Sequence, residues 1–134
     1  MKFHTFRLHP REKLRASLLQ YCADNSITAS TIISIVGGLN QVTLRMPGAT
    51  PEKADKKVFE EDLEIVSVEG TLGEGESHIH ISVSRKDGSV VGGHLKEGTV
   101  RITAEVTLVE FEDRVFSREL DPETSFEELV VKVK

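Results

Sequence analysis

Three of the five histidines in this 134-residue chain, His78, His80 and His94, fall within one stretch, ESHIHISVSRKDGSVVGGHL (76–95). Three neutral imidazoles on one face suit zinc or a similar borderline divalent metal, with a fourth position open for water or a ligand. Lys86-Asp87-Gly88 between them signals a hairpin, and the length of its loop decides whether the rings meet. A two-residue Asp87-Gly88 loop pairs Lys86 with Ser89 and puts His94 on the opposite face from His78 and His80. A three-residue loop, with Gly88 left-handed in a bulge, pairs Arg85 with Ser89. His94 then lies directly across from His80, with Cβ atoms about 5 Å apart. The second register is preferred, because it keeps Ile79, Ile81 and Val83 level with Val91 and Leu95. An aliphatic face and a histidine face then separate. Gly92 and Gly93 would leave room for a ligand above His94. Two readings stand side by side: a divalent metal site, or a half-exposed polar face whose imidazoles only form hydrogen bonds.

Other residues offer less. Arg45 ends an apolar strand, where its guanidinium fork could hold a carboxylate or phosphate; a solvated strand end is the commoner use. Cys22 sits on an apolar helical stripe with no basic neighbour, which suits buried filling better than nucleophilic attack. Gly37-Gly38-Leu39 lacks the Gly-x-Gly-x-x-Gly spacing of a dinucleotide loop. No serine stands in a nucleophile elbow and no carboxylate pair is marked out, so no catalytic residue is assigned.

The elements that must carry these residues are legible from periodicity. KFHTFRL (2–8) alternates as a strand. Pro10 suits the start of a helix, with Leu14, Leu18 and Cys22 on one stripe and an end near Ala23. Residues 28–48 are predicted to be two β-branched strands broken at Gly37-Gly38, followed by an exposed loop over 49–57. From Phe59 onward nearly everything reads as strand. Leu63 and Ile65 alternate against Val66 and Val68, so both faces of that strand are expected to be covered. Val100, Ile102, Ala104, Val106 and Leu108 line one face of the clearest strand, and DRVFSREL is expected to return antiparallel to it. The sum is a single α+β domain over residues 1–134, a mostly antiparallel sheet with one main helix packed on it.

Composition narrows the function. Hydrophobic residues at 38% and charged residues at 29% describe a globular chain. No apolar run of membrane-spanning length is present, no secretory leader is expected from the first residues, and one cysteine fits a reducing cytoplasm. A net charge of −5 argues against broad affinity for DNA phosphates. Residues 1–15 are nonetheless basic (Lys2, Arg7, Arg11, Lys13, Arg15 against Glu12), and residues 110–128 are strongly acidic. Solvated faces are the ordinary explanation of such runs.

Taken together, VGGLNQVTLRMPG (36–48), FEEDLEIVSVEGTL (59–72), the His78-x-His80 strand, VVGGHL (90–95), the strand after Gly98 and DPETSFEELV resemble the PPC (plants and prokaryotes conserved) domain family in its stand-alone prokaryotic form. The resemblance runs over essentially the whole chain. It implies an α+β fold assembled as a homotrimer, and it matches His78, His80 and His94 to histidines regarded as a metal site in prokaryotic members. The family is often labelled DNA-binding. In plant members that contact comes largely from an AT-hook, whose Arg-Gly-Arg-Pro core is absent here. Three functions follow in order of preference: a trimeric module binding a metal or small ligand in a regulatory role, a DNA-associated regulator, and a metal-dependent enzyme. The last would need a general base, for which only the distant Glu74 or Glu76 offer themselves.

Overall fold

Eight strands and one helix follow one another in a computed structural model that describes residues 1–134. They are β1 (Lys2–Leu8), α1 (Leu14–Asp24), β2 (Ser30–Arg45), β3 (Lys56–Phe59), β4 (Leu63–Leu72), β5 (Ser77–Ser84), β6 (Val90–Glu110), β7 (Arg114–Leu120) and β8 (Glu127–Val133). Every strand pairing is antiparallel, and α1 is the sole α-helix, as the α+β reading expects. The order of strands in the main sheet is β1-β6-β5-β4-β2-β3, with β6 also pairing β2. The ring of pairings β6–β5–β4–β2–β6 therefore closes on itself, which removes most open edges. β6 makes this possible: it is long enough to serve β1, β2 and β5.

Leu14, Leu18 and Cys22 are buried on one stripe of α1 against the sheet. Each fully buried leucine contributes about 1.5–3 kcal/mol over an exposed one. The helix starts at Leu14 rather than at Pro10, because the preceding backbone is engaged elsewhere. Arg11 N donates to Val100 O, and Val100 N donates to Glu12 O. Lys13 cannot cap the helix, and the Glu97 carboxylate does so from β6, accepting from the amides of Arg15 (2.7 Å) and Ala16 (3.1 Å). A second buried link joins β1, α1 and β6. His4 Nδ1 lies 3.0 Å from the Tyr21 hydroxyl, and its Nε2 lies 3.1 Å from Glu110.

Four further expectations are corrected, three of them by bulges. Residues 28–48 form one strand rather than two: β2 continues through Gly37-Gly38, which mark a bulge against β6. A Cβ on Gly37 would lie 2.1 Å from the Thr103 carbonyl oxygen, so glycine there permits close backbone approach. Ile102 leaves the buried face of β6 at the same irregularity. Gly37 pairs with Ala104 and Gly38 with Arg101, and Ile102, at φ 68°, turns outward to 58% exposure. On β4 an extra residue between Ile65 and Ser67 shifts the phase. Leu63 and Val68 consequently face the same core while Val66 is exposed, so the strand does not need cover on both faces. The fourth correction concerns DRVFSREL. β7 pairs with β8 in a separate two-stranded sheet and not with β6. It docks through Phe116 N to Thr28 O and through the Thr28 hydroxyl to Arg114 O.

Candidate functional site

The β5–β6 hairpin carries the histidines, and its loop is the three-residue form. Arg85 N donates to Ser89 O, Gly88 N donates to Arg85 O, and Gly88 is left-handed at φ 85°. His80 therefore pairs directly with His94, and the next pair along the row is His94 with Arg45 of β2. Three strands place His80, His94 and Arg45 side by side, with His78 two residues along from His80. The aliphatic residues Ile79, Ile81, Val83 and Leu95 fill the other face and are buried.

The ligand atoms of His78, His80 and His94 all lie within 4.8 Å of one another. His78 Nε2 and His80 Nε2 are 3.2 Å apart, near the roughly 3.4 Å that separates two nitrogens around tetrahedral zinc. Ring centroids stand 5.0, 5.1 and 5.8 Å apart. The donor set therefore fits a borderline divalent ion after small side-chain rotations. No protein carboxylate joins this cluster of ligand atoms, although Glu69 pairs with His80 across β4–β5.

Electrostatics keep two of the rings neutral. Burial pushes His94 down from the ordinary 6.5 to about 4, helped by Arg45, His78, Lys96 and His80. Burial also lowers His78, with His80, Arg118 and Arg45 adding to the effect and Glu128 opposing it. The neutral ring is the ligating form. A guanidinium nitrogen of Arg45 lies 3.3 Å from His94 Nδ1, close enough to donate to that nitrogen's lone pair.

Beside the histidines lies a cavity of about 540 Å³, into which His78, His94 and Arg45 face. Its other walls come from distant parts of the chain: Arg15 from α1, Lys96 from β6, and Arg118 and Phe126 from the β7–β8 hairpin. Arg45 sits over the Phe126 ring, 5.3 Å from its centroid. Arg118 donates to the Thr71 hydroxyl (3.0 Å), and Thr71 is the strand partner of His78. Gly92 and Gly93 do not line the cavity. A Cβ on Gly93 would come within 2.8 Å of the Arg45 carbonyl oxygen, and one on Gly92 within 2.7 Å of that of Ile81, so both serve close strand approach. Reading the sequence did not single out Arg15, Lys96, Arg118 or Phe126, since only long-range packing brings them here. Cys22 is buried in the core, and burial raises its thiol pKa, as befits an inert thiol.

A closed antiparallel sheet with one helix and a histidine hairpin within it is a recognisable class of small domain. Residues 1–112 match the family model for the Plants and Prokaryotes Conserved (PCC) domain, and the chain belongs to that family. Among curated proteins it is 32% identical over 133 residues to the bifunctional protein GlmU of a Synechococcus strain; the match takes in 98% of this chain but 20% of that protein. The chain thus spans about a fifth of the length of such relatives. Among solved structures, a hypothetical protein from Salmonella cholerae-suis superposes with a TM-score of 0.92 at 28% identity, covering 99% of this chain and 94% of that one. A metal-containing protein from Archaeoglobus fulgidus gives 0.84 at 25% identity, with 97% and 94% covered. A candidate DNA-binding protein from Bacteroides thetaiotaomicron gives 0.83 at 25%, with 96% and 91% covered.

Proposed function

We propose that this protein is a homotrimeric, cytoplasmic binding module with a regulatory role, which holds a divalent metal, zinc or a similar ion, on His78, His80 and His94. The observation that carries this reading is the convergence of three imidazoles within 4.8 Å, on a face separated from the core. The metal-containing Archaeoglobus relative supports it. A bound ion would supply an open coordination position for a small ligand, with Arg45 beside it to orient negative charge. Large apolar side chains left in solvent (Phe3 63%, Val36 62%, Ile102 58%) support burial against further copies of the chain. No helix is long and apolar enough to cross a membrane. Elemental analysis and sedimentation of untagged protein test the reading together: about one metal per chain and a trimer mass are expected. A metal-free monomer would reject it.

DNA binding is the second reading, supported by the name of the Bacteroides relative. The basic residues 1–15 do not form one stripe, however. Arg7 donates to Thr103 and to the Ile102 carbonyl, whereas Arg15 turns into the cavity. With a net charge of −5, duplex binding is expected to be weak and to fade steeply with salt. Tight, sequence-selective binding at physiological salt in a mobility-shift assay would reverse the order of the two readings.

A further inference from the structure

The cavity beside the histidines is lined by four cationic side chains and three carboxylates. Arg15, Arg45, Lys96 and Arg118 line it, and all four are half-buried. None of the four side-chain cationic groups forms an ion pair with a carboxylate, although seven other ion pairs occur in the protein. Their partners are neutral instead: Arg15 donates to the Ser77 hydroxyl, Arg45 to His94 and Arg118 to the Thr71 hydroxyl. The carboxylates on the cavity, Glu76, Glu127 and Glu128, are all exposed. Gathering four cations in one half-buried space is costly for a protein of net charge −5, because their mutual repulsion is poorly screened there. An anion removes that cost.

We propose that this cavity binds a small organic anion bearing carboxylate or phosphate oxygens, held by Arg15, Arg45, Lys96 and Arg118. The inference deepens the binding-module reading by naming the ligand class of the same site, but it does not depend on the metal. The planar forks of Arg45 and Arg118 match two oxygens of a carboxylate or phosphate, and Lys96 adds a point charge. A volume of about 540 Å³ admits a molecule of metabolite size. The Phe126 ring lies 5.3 Å from the Arg45 guanidinium and supports it from one side. Arg45 also connects the two halves of the site. Its donation to His94 Nδ1 requires that nitrogen's lone pair. If the ring ligates a metal through Nδ1, the lone pair is taken; if it ligates through Nε2, Nδ1 carries the proton. Metal loading therefore frees Arg45 for the anion.

The test is titration calorimetry of the metal-free protein with sulfate and, separately, succinate, at ionic strength held constant with sodium chloride. Sulfate stands for phosphate oxygens and succinate for carboxylates, so the preferred probe identifies the source. Saturable binding of at least one probe is expected, weakened about tenfold or more in Arg118→Gln and in Lys96→Gln, the factor of one charge-assisted hydrogen bond. Arg101→Gln, whose partner is Asp62 and which is not a cavity residue, serves as the control expected to bind like wild type. Lys96→Gln gives a second measure in case Arg118→Gln loosens the β7–β8 hairpin. No saturable binding of either probe, or wild-type affinity in both cavity variants, overturns the inference. Zinc uptake measured on the same preparation separates the two claims. Anion binding without zinc uptake upholds this inference and rejects the metal site, whereas zinc uptake without anion binding does the reverse.

Discussion

His80→Ala is expected to bring metal content from about one per chain to background, while leaving the protein folded. His80 is central: it pairs with His94 across β5–β6 and lies 3.2 Å from His78, nitrogen to nitrogen. Removing it leaves two imidazoles, too few for a stable borderline-metal site with no carboxylate in the cluster. The fold should not suffer, because His80 is exposed and its strand pairs through backbone groups. A stability loss of no more than about 1 kcal/mol in the metal-free protein is expected, the size of one hydrogen bond. Metal per chain, measured for both proteins side by side after dialysis against trace zinc, is the check. Equal values would mean that the three rings are only a polar face.

Metal release by acid should be the second large effect, and it should begin lower than unperturbed histidines would give. Protonated imidazole cannot ligate, so affinity falls as pH falls. Burial, with Arg45 next in size, holds His94 neutral down to about 4, and His78 is also lowered from 6.5. Both remain ready to ligate below 6.5, where an ordinary histidine is already half protonated. Each ligand that must first lose a proton costs about a decade of affinity per pH unit, so the fall steepens toward pH 4. In the metal-free protein the same shifts link pH to stability. The folded pKa of His94 lies below its unfolded value, so the stability it contributes is present above 6.5 and is lost as pH drops from there toward about 4. Zinc titrations from pH 7.5 to 4.5, with thermal melts of metal-free wild type and His94→Gln, read both effects. Half-release above pH 6.5 would contradict the burial of His94.

How much of this was legible in the sequence depended on the range of the interactions. The hairpin register could be read because it is local: Gly88, Ser89 and the alternating aliphatics fix it within one turn. The stripe Leu14, Leu18 and Cys22 was legible for the same reason. Bulges were not. Val66 and Ile102 carry strand residue types at strand spacing, and only the partner strand's register turns them outward. Gly37-Gly38 looked like a break because glycine marks both turns and bulges, and pairing with β6 on both sides decides between them. The cavity was beyond reach. Arg15, Arg45 and Arg118 are scattered through the sequence, and nothing local to any of them announces the others.

That difference in range bears on how the site assembles as the chain folds. The three histidines belong to a single hairpin, so bringing them together closes only a short loop, at a small entropic cost. The cationic wall is of high contact order: Arg45 meets His94 across 49 residues of sequence, Arg15 meets Ser77 across 62, and Arg118 meets Thr71 across 47. Contacts of that kind form late, after the topology is in place. A nascent β5–β6 hairpin can therefore present its imidazoles before the ring of strand pairings has closed, and an ion captured then would pin the register around which β2 and β4 must pair. The cationic cavity exists only once the last hairpin has docked.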